Sequence, residues 1–191
     1  MRINEYFDKV VVINLDKRTD RLEKTSKQLD ELGITFERFS AIDGTGKNPI
    51  IAGRDSHVEV WKQNLGKKVL ILEDDAYFVE GFQERFDEVI QTLPENWDVF
   101  YLGALIDKKT GKVIKVNNDW YRQIVSTGTQ AYCLHPDMMQ YFIDRIEIYD
   151  GYIDVGLRIL AEDTNAYITQ PNLVTQYAGY SDLRLKEVSD F

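Results

Sequence analysis

The chain has 191 residues, of which 43% are hydrophobic, and a formal net charge of −9. This length predicts a single domain, residues 1–191, which can bury a core without disulfides or a structural metal. The acidic balance and the absence of a Lys/Arg-rich run argue against nucleic acid or an anionic membrane as the main partner. Because the sequence has no apolar signal segment and no apolar run near the roughly 20 residues of a membrane span, we expect a soluble, cytoplasmic protein.

The counts of cysteine and histidine limit the kinds of metal site. One Cys and two His residues exclude a disulfide framework and a zinc cluster of thiolates and imidazoles. Cys133 lies in an apolar context, which favours a buried and inert thiol. Any metal is therefore expected to be held mainly by carboxylate oxygens, which favours Mg²⁺ or Mn²⁺.

Strands and helices are expected to alternate along the chain. Residues 9–15 form a continuous apolar run rich in β-branched residues, which is typical of a strand buried on both faces of a parallel sheet. In chain order there follow a helix from Leu22 to Leu32 ended by Gly33, a strand at 34–39, a turn at 43–49, a helix at 55–65, a strand at 68–72, a helix at 82–93, a strand at 97–103, a hairpin at 107–118 with its turn at 109–112, a strand at 130–134 and a helix at 138–146. With an irregular polar tail at the end, this order predicts a three-layer α/β fold with a mixed sheet.

Three acidic residues, Glu73, Asp74 and Asp75, directly follow the apolar strand at 68–72. In open α/β sheets, ligands bind beyond the carboxyl ends of the strands. Three adjacent carboxylates repel one another unless a cation lies between them. Strand geometry places Glu73 and Asp75 on one face, so we expect these two to bind a metal and its water, with Asp74 turned toward a sugar or ribose. The alternative is a solvated strand end.

Six segments in a fixed order resemble glycosyltransferase family 25, the lipopolysaccharide and collagen galactosyltransferase family. They are residues 12–21 (VINLDKRTDR), 39–44 (FSAIDG), Ser56-His57 with Trp61, 70–75 (LILEDD), 128–132 (GTQAY), and 171–176 (PNLVTQ) with Ser181-Asp182. The chain departs from the family where Gly53-Arg54-Asp55 replaces an expected glycine and cysteine before Ser56. It is also shorter than typical bacterial members, so we expect part of the acceptor region to be reduced.

The resemblance implies a GT-A-like (Rossmann-like) fold with a mixed, mainly parallel central sheet. It also implies inverting transfer of a hexose, galactose or glucose, from a UDP-sugar to a saccharide acceptor, with Mn²⁺ or Mg²⁺ as cofactor. The residues that we expect to bind the donor are Asn14, Leu15, Arg18, Arg21, Asp43, Ser56, His57 and Asp74. For Arg18 and Arg21 the alternative is ordinary helix-surface charge, and for His57 it is a structural histidine.

Asp154 matches the family's later acidic position. Inverting transfer needs a general base that takes the proton of the acceptor hydroxyl, so Asp154 is the candidate base. The alternative for Asp154 is a helix N-cap, and Glu162 and Asp163 are weaker candidates.

Two other functions remain open at this point. A sugar nucleotidyltransferase would share the sheet and the acidic site, but the sequence lacks a glycine-rich phosphate loop with a Lys near the first strand. A non-catalytic module that binds a nucleotide-sugar or glycan is consistent with the same residues. Aromatic residues that could stack on an acceptor sugar, or belong to the core, are concentrated in the second half: Trp120, Tyr121, Tyr149, Tyr152, Tyr177 and Tyr180.

Overall fold

The computed structural model describes residues 2–106, 114–122, 126–177, 179–181 and 186–188. The helices are α1 (Ile3–Tyr6), α2 (Thr19–Glu31), α3 (Pro49–Gln63), α4 (Phe82–Ile90), α5 (Met139–Ile146) and α6 (Ile153–Leu160). The strands are β1 (Lys9–Asn14), β2 (Glu37–Ser40), β3 (Val69–Glu73), β4 (Ala76–Phe78), β5 (Val99–Ile106), β6 (Ile114–Lys115), β7 (Trp120–Arg122), β8 (Ser126–Leu134), β9 (Ala166–Thr169), β10 (Val174–Gln176), β11 (Gly179–Ser181) and β12 (Lys186–Val188). No helix among these residues is long and apolar enough to cross a bilayer.

An eight-stranded sheet forms the centre, in the order β2-β1-β3-β8-β5-β9-β7-β6. β1 pairs in parallel with β2 and β3, and β5 pairs in parallel with β9. The remaining pairs are antiparallel, so that all strands except β7 and β8 run in one direction. The prediction of a mixed, mainly parallel sheet is confirmed.

Helices cover both faces of this sheet, as predicted for a three-layer fold. Alternate strand residues point to opposite faces. Val10 and Val12 of β1 pack into an apolar cluster with residues of α1, α2 and α4. Val11 and Ile13 pack into a second cluster with residues of α3, α5 and α6. The continuous apolar run of β1 is therefore explained by burial on both sides.

The structure corrects two of the expected elements. α3 begins at Pro49 rather than residue 55, because the side chain of Asn48 accepts a hydrogen bond from the Ile50 amide at 3.0 Å and caps the helix. Proline suits the first helical position, where no donor is needed. The expected irregular tail is wrong, since it contains α6 and β9, and β9 pairs with β5 inside the sheet.

Two predicted features lie wholly or partly outside the described residues. The predicted turn at 109–112 is outside the described residues. The described hairpin joins β6 to β7, with Ile114 opposite Arg122. Asp182 of the last family segment also lies outside.

A two-stranded ladder connects the acidic residues to the end of the chain. β10 pairs antiparallel with β4, so Gln176 lies opposite Ala76, the residue after Asp75. The Tyr177 amide then donates to the Asp75 carbonyl oxygen at 2.9 Å. Val174 crosses over Gly103 of β5 so closely that a Cβ on Gly103 would lie 1.7 Å from the Val174 carbonyl oxygen. β10 and the residue after it, Tyr177, therefore fix the backbone of Asp75.

Candidate functional site

A cavity of about 460 Å³ lies at the carboxyl edge of β1, β3 and β5 and the beginning of β8. This is the sheet edge at which the sequence predicts ligand binding. The structure brings these predicted site residues together in its lining: Leu15, Arg21, Asp43, Ser56, His57, Glu73, Asp74, Asp75 and Asp154. Asn14 and Arg18 lie just behind this lining.

Asp74 is buried and its carboxylate binds protein groups. Arg21 donates to Oδ1 at 2.7 Å, and the Asn14 amide donates to Oδ2 at 2.7 Å. Thr25 donates to the Asp74 carbonyl oxygen at 2.8 Å. Burial raises the pKa of Asp74, and the charge of Arg21 acts against that increase. Asp74 therefore links α2 to the end of β3.

Asn14, at the end of β1, connects three neighbouring segments. Its amide also donates to the Arg18 carbonyl oxygen at 3.0 Å, and its Oδ1 accepts from Arg38 of β2 at 3.0 Å. Arg18 pairs with Asp20 at 3.0 Å. These contacts hold the loop after β1 in place. Asn14 and Arg18 thus shape the wall of the cavity from behind.

Asp75 carries a buried carboxylate oxygen, Oδ1, for which the described residues provide no hydrogen-bond partner. Its Oδ2 accepts from Arg21 at 3.3 Å. Burial, reinforced by the negative charge of Glu73, raises the pKa of Asp75 to about 7. Buried polar atoms are normally paired, because leaving one unpaired costs about 1–3 kcal/mol. Oδ1 of Asp75 thus lacks, among the described residues, a hydrogen-bonding or cationic partner, which a ligand could supply.

The raised pKa of Asp75 predicts how stability depends on pH. The unfolded carboxyl has a pKa of about 3.9, so between that value and about 7 the folded chain binds more protons than the unfolded chain. The free energy of unfolding should therefore fall as pH rises through this window. Urea denaturation without metal from pH 4.5 to 8 measures this effect. The free energy of unfolding should fall less with rising pH in the Asp75→Asn variant than in wild type. Parallel curves for the two proteins would contradict the raised pKa.

Glu73, two residues earlier, is held by two side chains at the same oxygen. Thr129 donates to Oε1, and His57 Nε2 lies 3.5 Å from it. Burial alone would raise the pKa of Glu73, but the contacts with His57 and Thr129 outweigh it and lower the pKa. Glu73 therefore remains ionised while Asp75 tends to hold a proton, as expected for two acids close together. Sequence reasoning did not name Thr129, although it lies in the fifth family segment.

These two carboxylates fit a divalent cation that also binds phosphate. The described residues contain no group of three or more His, Cys, Asp or Glu side chains arranged to hold a metal by themselves. Mg²⁺ is commonly held by one or two carboxylates together with substrate phosphates. The unpaired oxygen of Asp75 and the ionised Glu73 match that requirement.

The loop after β2 forms another wall. Asp43 accepts from the Thr45 amide at 2.8 Å and the Thr45 hydroxyl at 2.6 Å, and from Lys17 at 3.3 Å. The contacts with Thr45, followed by Lys17, lower the pKa of Asp43. Ser56 accepts from the Ile42 amide at 2.9 Å and donates to the Ala52 carbonyl oxygen at 2.8 Å, which ties this loop to α3. Sequence reasoning missed Lys17, a cation in the lining.

Asp154 lies in the first turn of α6, whose N-cap is Tyr152, so the N-cap interpretation of Asp154 is wrong. Its Oδ2 accepts from the Gly128 amide at 3.2 Å, and its Oδ1 from the Val155 amide at 2.8 Å. Thr129, which follows Gly128 on β8, binds Glu73. Consecutive residues of one strand thus hold the candidate base and a candidate metal ligand.

The aromatic residues of the second half divide between the cavity and the core. Tyr152 and Tyr177 line the cavity. Trp120 is fully buried in the core cluster with α4. Tyr77, which is not among the predicted stacking residues, is 40% exposed and its ring centroid lies 4.9 Å from that of Tyr177. Tyr177 therefore lines the same cavity as the acidic residues, and Tyr77 packs against the Tyr177 ring.

Arg54, at the position where the chain departs from the family, has a structural contact. It lies on α3, is buried, and pairs with Asp55 at 2.6 Å. It also donates to the Tyr149 carbonyl oxygen. The substituted residue thus connects α3 to the segment before α6.

Three relatives of the chain show what it is similar to. A protein of Acanthamoeba polyphaga mimivirus, named R655 and assigned by inference to the glycosyltransferases, is 30% identical over 169 residues, which cover 71% of this chain and 52% of the relative. Human procollagen galactosyltransferase 2 is 25% identical over 51% of this chain and 21% of its own length. The human inactive glycosyltransferase 25 family member 3 is 27% identical over 51% of this chain and 22% of its own length.

The chain therefore spans about half the length of the viral relative and about a fifth of the two human ones. A family model described as glycosyltransferase family 25 (LPS biosynthesis protein) matches residues 7–52 and 48–157. This match includes the loop after β1, the acidic residues and Asp154. Because it covers well over half of the sequence, the chain belongs to glycosyltransferase family 25.

Proposed function

We propose that the chain is a catalytic glycosyltransferase that moves a hexose, galactose or glucose, from a UDP-sugar to a saccharide acceptor in glycan biosynthesis. The observation that carries this proposal is the buried carboxylate oxygen of Asp75 that has no partner among the described residues and lies beside Glu73 in the cavity of a family 25 chain. The mutual repulsion of these two acids favours a site that binds a cation over a site that binds only a neutral glycan.

The side chains of the cavity suggest how the donor would bind. Glu73 and Asp75 would hold Mn²⁺ or Mg²⁺, which when bound supplies positive charge to the diphosphate leaving group. Lys17, which also lines the cavity, would attract the same phosphates. Arg21 would keep its contacts with the carboxylates of Asp74 and Asp75 and so hold the two side chains in position.

Asp154 would act on the acceptor. As the acceptor hydroxyl loses its proton to the Asp154 carboxylate, its oxygen forms a bond to the anomeric carbon. The bond from that carbon to the diphosphate breaks, and UDP leaves with the electron pair. A single displacement of this kind inverts the anomeric configuration. The two amide donors of Asp154 keep the carboxylate oriented.

Thermal unfolding with UDP-sugars tests donor binding. A ligand at 100 times its dissociation constant stabilises the native state by about 2.7 kcal/mol. We expect the midpoint to rise with a UDP-hexose and Mn²⁺ together, by more than the sum of the separate effects, and to change less with other nucleotide-sugars. Release of UDP that requires Mn²⁺ would then show turnover. No shift with any UDP-sugar in the presence of Mn²⁺ would refute the proposal.

The same assays separate the two other functions. A non-catalytic module would show the shift in midpoint without release of UDP, and the inactive human relative makes this outcome a specific alternative. A sugar nucleotidyltransferase would instead consume a nucleoside triphosphate and a sugar phosphate and release pyrophosphate.

A further inference from the structure

Behind Glu73, three buried polar side chains form a chain of contacts into the core. The Trp61 indole N–H donates to the Tyr132 hydroxyl oxygen at 2.9 Å. The same hydroxyl lies 2.8 Å from His57 Nδ1. On the other side of the imidazole, Nε2 lies 3.5 Å from Glu73 Oε1. Trp61 and Tyr132 are fully buried, and His57 is 4% exposed, so water does not compete for these contacts.

The chemistry of the donors determines where the protons are. An indole nitrogen can only donate, so the Tyr132 oxygen accepts from Trp61. Burial raises the pKa of Tyr132 well above its ordinary value, so the hydroxyl keeps its own proton. That proton is available for His57 Nδ1, the nearest acceptor. A neutral imidazole that accepts at Nδ1 carries its proton on Nε2, the nitrogen beside Glu73.

We propose that Tyr132 is a positioning residue that fixes His57 in the Nε2–H tautomer, so that His57 and Thr129 together hold Oε1 of Glu73. Both contacts of the Glu73 carboxylate among the described residues fall on Oε1. Oε2 is then the oxygen that Glu73 offers to a ligand in the cavity. This last consequence rests on the proposed function, whereas the tautomer does not.

Tyr101 provides a matched control within the same cluster. It lies directly opposite Tyr132 in the β5–β8 register, and the two ring centroids are 6.0 Å apart. It is also fully buried, yet its hydroxyl has no hydrogen-bond partner among the described residues. Replacing Tyr101 with Phe removes a buried hydroxyl of the same kind without touching His57.

Nitrogen-15 NMR of the ligand-free protein at pH 7.5 tests the tautomer directly. The chain has only two histidines, so the His135→Gln variant identifies the signals of His57. We expect wild type and Tyr101→Phe to show Nε2 protonated and Nδ1 bare, and Tyr132→Phe to show a change toward a mixture of tautomers. A protonated Nδ1 in wild type, or an unchanged tautomer in Tyr132→Phe, would overturn the proposal. If Tyr132→Phe does not fold, the wild-type spectrum alone decides.

Calorimetric titration of Mn²⁺ in the presence of UDP measures the consequence for Glu73. Loss of a residue that orients a metal ligand typically lowers metal affinity by roughly 10- to 100-fold. We expect such a decrease for Tyr132→Phe and little change for Tyr101→Phe. Equal affinity in Tyr132→Phe and wild type would refute the positioning role. If wild type itself binds no Mn²⁺ with UDP although the tautomer is as expected, the proposed function fails and the role of Tyr132 in setting the tautomer stands.

Discussion

The Asp75→Asn variant should lose hexose transfer while it remains folded. Asn keeps the shape of the side chain but removes the negative charge that would face the cation and diphosphate. We expect turnover to decrease by about 100- to 1,000-fold, the range found when one preorganised electrostatic group is removed. Its stability at pH 7 should not decrease, because a buried, partly unpaired carboxylate is replaced by a neutral group. Initial rates of UDP release and urea denaturation measure the two effects.

A control for general loss of charge is Asp137→Asn. Asp137 lies in the 3-10 turn before α5, and its side chain is 91% exposed. We expect wild-type rates and stability for this variant. Transfer that continues at the wild-type rate in Asp75→Asn would show that the unpaired oxygen has no part in the reaction.

The Asp154→Asn variant should separate donor binding from chemistry. An amide cannot take the proton of the acceptor hydroxyl, and removal of a general base typically costs about 10²- to 10⁴-fold in rate. Because the Gly128 and Val155 amides orient Asp154 and the variant leaves Glu73 and Asp75 unchanged, the thermal shift with UDP and Mn²⁺ should equal that of wild type. The measurement is the rate of transfer at saturating donor, alongside that shift.

Asp163→Asn serves as the comparison for this second variant. Asp163 is an exposed acid just beyond the end of α6 and was a weaker candidate for the base. It should transfer at the wild-type rate. If Asp163→Asn, and not Asp154→Asn, lost transfer, the base would be misassigned, while the donor site would be unaffected.

The central strands and the acidic edge could be predicted because their signals are local. The apolar run of β1 and the direct junction of β3 with three carboxylates are visible in the sequence, and the parallel pairing of these strands places their ends together. α6 and β9 were missed for different reasons. α6 has an amphipathic pattern, with Ile153 and Leu157 buried, but it spans only eight residues. β9 has four residues, and its place in the sheet depends on pairing with the distant β5.

The contacts that orient the acids depend on register. Thr129 is 56 residues from Glu73, and Tyr132 is 75 residues from His57. They meet because β8 inserts antiparallel beside β3, with Ile71 opposite Tyr132. A single sequence gives no measure of this alignment. The family segments predict donor contacts for Asn14 and Arg18, whereas neither residue is in the cavity lining.

Gly103 does not line the cavity, but the space around it has a consequence for mutational scanning. Any larger residue at this position would push the Val174 backbone outward, since even a single methyl carbon would overlap it. The displaced segment leads directly to the Tyr177 amide that restrains Asp75. A survey of substitutions that records only enzymatic output would therefore rank Gly103 beside the acidic residues, and the ranking would report backbone crowding at a distance rather than a role in the reaction.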